Sequence, residues 1–295
     1  METIGFIGLG VMGRPMALNL LTHGHPLVVH SRSAPPVDAL VREGAARADS
    51  PADVARRATR IFTMVPDSPD VELVMEGPNG IFSAVQRGTI LIDTSSIAPG
   101  TAQRLAVRAR DLGAVMLDAP VSGGEVGAID GTLSIMVGGD ADAFARVKPM
   151  LDVIGNPDRV IRIGGSGAGQ ICKVCNQIVI GGALAAVSEA FALARKAEVD
   201  VGLVRQALLG GFAASRVLDV HGQRMLDGNY KPGFRAELYA KDLKIAADAL
   251  SAHSSPAPVS AVVHQLAVAL VAAGRGGEDY SAIATILFSL AGLPT

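Results

Sequence analysis

Gly164-Gly-Ser-Gly167-Ala-Gly-Gln170-Ile-Cys172-Lys173-Val-Cys175-Asn176-Gln-Ile-Val-Ile-Gly-Gly-Ala-Leu-Ala-Ala-Val-Ser-Glu-Ala-Phe-Ala-Leu-Ala-Arg195 separates two kinds of sequence. The stretch opens on glycines and becomes a long apolar run, with Lys173 and Asn176 as strongly polar positions near its start. As one helix, Gln170–Arg195 is about 39 Å long at about 1.5 Å per residue. That length crosses a small domain. Positions three apart share a helix face, so Lys173 and Asn176 form a polar pair on an otherwise apolar spine. A lysine in such a helix either snorkels to water or serves a ligand pocket as a general acid. The sequence on either side decides between them.

Upstream, Thr3–Ile7 reads as a buried strand and Arg14–Leu21 as a helix. Between them stands Gly8-Leu9-Gly10-Val11-Met12-Gly13. This G-x-G-x-x-G turn between strand and helix is suited to a dinucleotide pyrophosphate. The first glycine permits the turn, the second admits the phosphates, and the third lets helix and strand pack closely. The helix N-terminus offers free N–H groups to the anion. Leu27–His30 is the expected second strand. Nucleotide sites that prefer NAD place an acid about 20 residues past the glycines, on the ribose hydroxyl. No acid occurs between Glu2 and Asp38, and the strand is followed by Ser31-Arg32-Ser33. A guanidinium there suits a 2′-phosphate, so NADP is the expected cofactor, with NAD possible.

The alternation continues. Helices are expected at Val37–Glu43, Asp53–Ala58, Thr101–Leu112 and Asp140–Leu151. Strands are expected at Arg60–Val65, Thr89–Thr94, Val115–Ala119, Leu133–Val137 and Val160–Ile163. Strands separated by helices imply a mainly parallel, doubly wound sheet of the Rossmann type, with ligands at the carboxyl ends of its strands. Ser122 with the N–H groups of Gly123 and Gly124 is a candidate nest for a carboxylate; Ser-Gly-Gly is also an ordinary turn. Downstream, only helices are expected: Val201–Leu209, Ser215–Asp227, Ala240–Ser251, Val259–Ala273 and Tyr280–Leu290, with Lys241-Asp242 at the start of one. The fold class is therefore α/β. A dinucleotide-binding domain at 1–164 is joined to an all-α domain at 165–295 that includes the long helix.

Composition narrows the function. Hydrophobic residues make up 49% and charged residues 18% of 295, with a formal net charge of −2, which describes a globular chain without a basic face for nucleic acid. The uncharged run Val174–Ser188 is short for a bilayer span, and the first strand begins a few residues from Met1. A cytoplasmic enzyme with no membrane partner is the expectation. Cys172 and Cys175 form C-x-x-C, a pattern also used by redox dithiols, but they lie in an apolar helix and are expected to be small buried hydrophobes. No second Cys or His pair supports a metal site.

Four segments in order now resemble the β-hydroxyacid dehydrogenase family: Gly8–Gly13, Asp118-Ala-Pro-Val-Ser-Gly-Gly124, Gly167–Lys173 with Asn176, and Lys241-Asp242-Leu243. The resemblance covers essentially the whole chain. It implies Lys173 as the catalytic lysine and Ser122, Gly123, Gly124 and Asn176 as substrate-binding residues. It also implies Val65, Pro66, Ser96 and Lys241 as cofactor contacts, and a homodimer or homotetramer built through the helical domains. Ala128–Gly139, Val217–Asp219 and Asn229–Arg235 are similar to the tartronate semialdehyde reductases within that family, which implies reduction of 2-hydroxy-3-oxopropanoate to glycerate. Ser31 stands where such reductases carry an acid, and Cys172 and Cys175 flank the lysine where small residues are usual. A 3-hydroxyisobutyrate dehydrogenase or a broad semialdehyde reductase is the alternative enzyme. A cofactor-binding oligomer without catalysis is the alternative of another class, and the presence of Lys173 and Asn176 argues against it.

Overall fold

The computed structural model describes residues 2–294. Two compact units, residues 1–173 and 174–295, meet between Lys173 and Val174. Their boundary falls within the long helix, whereas the sequence reading divides the chain before it.

Among the described residues the first unit is built on nine strands: β1 (Ile4–Ile7), β2 (Leu27–His30), β3 (Ala46–Arg47), β4 (Arg60–Thr63), β5 (Ile90–Asp93), β6 (Val115–Asp118), β7 (Val121–Ser122), β8 (Leu133–Gly138) and β9 (Gly155–Gly164). Six of them run parallel in the order β3-β2-β1-β4-β5-β6. That is the doubly wound order of dinucleotide-binding sheets, and its switch point lies at β1/β4. β8 adds antiparallel to β6 and β7, and β9 pairs parallel with β8. Helices alternate with the strands: α1 (Gly13–Thr22), α2 (Ala34–Arg42), α3 (Pro51–Arg57), α4 (Ser68–Glu76), α5 (Pro99–Asp111), α6 (Gly124–Asp130) and α7 (Ala141–Ile154).

Strand side chains alternate between two cores, as a period of two demands. Phe6, Phe62, Ile92 and Leu117 pack with Met16 and Leu20 of α1 and Val147 and Leu151 of α7. Ile7, Ile61, Leu91 and Met116 pack with Val54 of α3, Val71 and Met75 of α4, and Leu105 of α5. A sheet covered on both faces has strands with near-continuous apolar runs, as in Ile4–Ile7 of β1, Ile61-Phe62 of β4 and Ile90–Ile92 of β5. Each such side chain contributes roughly 1.5–3 kcal/mol by burial. The central strands end on polar residues: Thr63, Asp93 and Asp118 are paired in register across β4, β5 and β6.

Several elements differ from expectation. α2 begins at Ala34 because Pro35 and Pro36 occupy its first turn, where a missing N–H costs nothing. α4, the short strands β3 and β7, and α6 are additional. α4 hides behind Ser68-Pro69 and is capped by Asp67, whose carboxylate accepts from the Ser68 N–H. α6 begins at Gly124, so the Ser-Gly-Gly segment is a helix entry as well as a turn.

The spine is α8 (Ala168–Lys196), 29 residues without a break. The second unit takes α8 from Val174 onward together with α9 (Val201–Leu209), α10 (Gly222–Asp227), α11 (Ala236–Ala252), α12 (Pro258–Leu270) and α13 (Ile283–Leu290). Its core gathers Leu184, Phe191, Met225, Tyr239, Leu243, Val263, Leu270 and Phe288. The expected helix Ser215–Asp227 is present, with a π-helical stretch, Val217–His221, running directly into α10. The expected Val259–Ala273 is α12 followed by a second such stretch, Val271–Arg275. α11 starts earlier than expected. The N–H groups of Ala236 and Glu237 donate to the carbonyls of Glu278 and Gly276, a tertiary cap that local sequence does not reveal. Lys241 and Asp242 therefore lie inside α11 and not at its start. By length and composition alone, Ala168–Lys196 and Pro258–Arg275 are long and apolar enough to cross a membrane, a test that the core helix of a soluble protein also passes. α8 packs one side into the helical core through Leu184 and Phe191.

Candidate active site

The glycine turn is built as its spacing implies. Gly8 donates its N–H to the carbonyl of His30 at 2.9 Å and has φ of +94°. A Cβ on Gly8 would come within 2.2 Å of the Met64 carbonyl oxygen, and one on Gly13 within 2.0 Å of the Gly8 oxygen. These two glycines are fixed by the fold itself. Gly10 is different: a Cβ there would meet nothing within 4 Å. Its exposed backbone borders open space at the switch point of the sheet, and no side chain caps the N-terminus of α1. The segment Gly8–Gly13, with Leu9, Val11 and Met12, thus fits a dinucleotide pyrophosphate, whose phosphates need backbone N–H groups and close approach.

Around the turn, Ser31 accepts a hydrogen bond from the Leu9 N–H at 3.4 Å. The end of β2 is thereby tied to the glycine loop. Val65 donates its N–H to the Ser95 hydroxyl at 3.0 Å, which links the exits of β4 and β5 and positions Val65, Pro66 and Ser96 at adjacent strand ends. Arg32 is exposed and pairs with Asp70 at 3.2 Å.

The carboxyl ends of β5 and β6 carry buried acids. Asp93 Oδ1 accepts from the Thr63 hydroxyl at 2.7 Å and from the Ser95 N–H at 3.3 Å. Burial pushes its carboxyl up to about 6, the hydrogen bonds from Ser95 and Thr63 work against that rise, and the charge of Asp118 adds to it. Asp118 is 2% exposed. Its Oδ1 accepts from the Gly167 N–H at 2.7 Å and its Oδ2 from the Gln170 N–H at 2.9 Å. Burial raises its pKa too, and those backbone donors oppose the shift. Asp118 thus occupies the N-terminus of α8, where orphan N–H groups and the helix dipole favour an anion. The Gln170 side chain makes a second fastening. It donates to the Ser95 carbonyl at 2.8 Å and accepts from the Ile97 N–H at 3.2 Å. The first turn of α8 is bolted to the ends of β5 and β6, and Lys173 stands one turn farther on, half-buried.

Ser122 ends β7, paired with Ser134 of β8. Gly123 and Gly124 follow with φ of +138° and +65°, backbone that favours glycine. Asn176 is half-buried on α8, three residues after Lys173, as the spacing implied. In the helical unit Asn176 Nδ2 donates to Gln177 Oε1 at 2.8 Å, and Gln177 Nε2 donates to Asp242 Oδ2 at 2.6 Å. Asp242 Oδ1 pairs with Lys241 Nζ at 2.9 Å, and the Tyr239 hydroxyl donates to the Gln177 carbonyl at 3.1 Å. Asn176 and Lys241 are therefore the two ends of one chain of polar contacts through buried Gln177 and Asp242.

Sequence reasoning gave no role to Asp93, Asp118, Gln170, Gln177 or Asp70. The signal for the first two was an acid closing each of the apolar strands Ile-Leu-Ile-Asp93 and Val-Met-Leu-Asp118. The cysteine reading needs correction: Cys172 is half-buried and Cys175 is exposed, because α8 turns Cys175, Val179 and Leu193 outward while Val174, Gln177 and Leu184 face inward. Among the described residues no group of three or more His, Cys, Asp or Glu side chains is placed to hold a metal.

Known proteins resemble the chain over nearly its whole length. Residues 3–172 match the NAD binding domain of 6-phosphogluconate dehydrogenase, and residues 167–287 match the NAD-binding model of NADP-dependent 3-hydroxyisobutyrate dehydrogenase. The chain is 45% identical to 2-hydroxy-3-oxopropionate reductase of Escherichia coli K12 over 284 residues, 96% of each chain. It superposes on Mycobacterium tuberculosis 3-hydroxyisobutyrate dehydrogenase with L-serine at a TM-score of 0.89, with 31% identity over 97% of this chain and 99% of that one. Psf3 in complex with NADP+ and 2-OPP superposes at 0.87, with 28% identity over 97% of this chain and 100% of that one. Together with the glycine turn and the lysine helix, these matches show that the chain belongs to the β-hydroxyacid dehydrogenase family and is an NAD(P)-dependent oxidoreductase acting on hydroxyacids.

Proposed function

We propose that the protein reduces tartronate semialdehyde to glycerate with NADPH. The observation that carries this reading is the 45% identity to 2-hydroxy-3-oxopropionate reductase across 96% of both chains. When bound, the nicotinamide supplies the hydride. Gly8–Gly13 hold the pyrophosphate, Arg32 pairs with the 2′-phosphate, and Val65, Pro66, Ser96 and Lys241 are the further cofactor contacts implied by the family. Ser122 and the N–H groups of Gly123 and Gly124 receive the substrate carboxylate. Lys173 donates a proton to the carbonyl oxygen as charge develops there, and takes it back in the reverse direction. A fixed ammonium at a developing alkoxide supplies about 3 kcal/mol of transition-state stabilisation. Asn176, one turn along α8, orients the substrate.

A second reading is 3-hydroxyisobutyrate dehydrogenase, favoured by the M. tuberculosis superposition. The two substrates differ by a hydroxyl against a methyl group. Initial rates of tartronate semialdehyde reduction, compared with methylmalonate semialdehyde reduction and 3-hydroxyisobutyrate oxidation, separate them. Tartronate semialdehyde is expected to be the fastest, with NADPH ahead of NADH; faster turnover of the methyl-bearing pair overturns the first reading.

α8 exposes Val179 and Leu193, and α12 exposes Val259, Val262 and Val268. We read them as subunit contacts of a homodimer or homotetramer, because exposed apolar patches mark association surfaces. Light scattering is expected to give a multiple of 30.2 kDa, and a monomer contradicts this reading.

A further inference from the structure

The chain offers no acid near the end of β2, but the fold brings one there from elsewhere. Asp70 lies in the first turn of α4, and its Oδ1 is 3.2 Å from Arg32 Nη1. β2 and β4 flank β1 on opposite sides. With neighbouring strands about 4.8 Å apart, a contact from the exit of β2 to the helix after β4 passes over the end of β1, where the glycine turn stands. α4 does not need Asp70 as its cap, since Asp67 already fills that position. The Arg32 side chain is 76% exposed and that of Asp70 26%, so both border solvent where the adenosine end of a dinucleotide belongs.

We propose that Asp70 is a specificity-determining residue that weakens the preference for NADP. This rests on the reading that Arg32 meets the 2′-phosphate. The ion pair holds a guanidinium at the ribose site and also fixes a carboxylate beside it. A 2′-phosphate drawn to Arg32 meets the charge of Asp70 and must share the guanidinium with it. A plain 2′-hydroxyl carries no charge and is indifferent to that repulsion. Asp70 therefore acts on one cofactor and spares the other, which leaves the enzyme open to both. The effect is between partly exposed charges, so salt screens it.

Calorimetric titration of the full-length protein with 2′,5′-ADP and with 5′-AMP tests this without turnover. Asp70→Asn is expected to tighten 2′,5′-ADP about fivefold at low salt, to leave 5′-AMP unchanged, and to lose most of the gain in about 0.5 M salt. An Asp70→Asn protein whose affinity for 2′,5′-ADP is unchanged or weaker overturns the proposal; weaker binding would make Asp70 a tether for Arg32. Arg32→Gln tests the underlying reading separately. It is expected to weaken 2′,5′-ADP about tenfold, and no change there removes Arg32 from phosphate recognition whatever Asp70 does.

Discussion

The first turn of α8 and the Arg32 loop both serve the same ligand site in this account, and they are built in opposite ways. At α8, Asp118 is 2% and Gln170 1% exposed, and each makes two hydrogen bonds across long stretches of chain. At the loop, one exposed arginine meets one partly exposed acid. Buried polar contacts are costly to leave unmade, whereas exposed ion pairs contribute about 0–1 kcal/mol. Under the proposed function, the difference gives rigidity to the lysine proposed to move a proton and adaptability to the residues proposed to choose a cofactor.

Asp118→Ala gives the largest expected effect short of the lysine itself. It leaves two buried backbone N–H groups without an acceptor, at roughly 1–3 kcal/mol each. We expect a loss of about 3 kcal/mol in urea unfolding and at least a tenfold fall in kcat, with NADPH affinity unchanged because the glycine turn is not touched. Asp118→Asn retains one acceptor and is expected to recover part of both losses. An Asp118→Ala protein with normal kcat would break the link between the clamp and Lys173.

Asp93→Asn comes next and shows itself in pH dependence. The Asp93 carboxyl sits at about 6 in the folded protein, against about 3.9 when unfolded. The folded state holds the proton more tightly, so the contribution is fully present below about pH 4 and is lost as pH rises through about 6. Above that, the ionised buried carboxylate costs on the order of 2–3 kcal/mol. Asp93→Asn should thus stabilise the protein at pH 8 relative to its effect at pH 4. Unfolding curves at the two pH values check it, and equal effects at both would remove the titration from Asp93.

The smallest effect on stability is expected for Arg32→Gln. It should change the unfolding free energy by less than about 0.5 kcal/mol, as an exposed pair allows, while lowering the NADPH-to-NADH ratio of kcat/KM about tenfold. The contribution of Arg32 should also fade with salt, and that of Lys173 should not. A stability loss of several kcal/mol at Arg32 would erase the contrast between the two regions.

Much of this was legible in the residues. Glycines at 8, 10 and 13 after a strand gave the dinucleotide turn, and the polar pair in an apolar helix marked Lys173 and Asn176 as neighbours on one helix face, while the roles proposed for them come from the family resemblance. These signals are local, so they survive in sequence. The clamp was not legible because Asp118 meets Gly167 and Gln170 49 and 52 residues away, and Gln177 meets Asp242 at a separation of 65. The start of α11 was missed for the same reason, since its caps come from Gly276 and Glu278. The cysteines were misjudged because an apolar helix was taken to be buried on all sides. Asp70 could not be found from the β2 exit, because the contact crosses β1 and not the chain.

The most direct measurement is turnover of tartronate semialdehyde by Lys173→Met with saturating NADPH, alongside NADPH binding to the same preparation. The account predicts a fall in kcat of about a hundredfold or more with NADPH affinity nearly intact. Undiminished turnover would take Lys173 out of the chemistry, and α8 would then be a structural spine only.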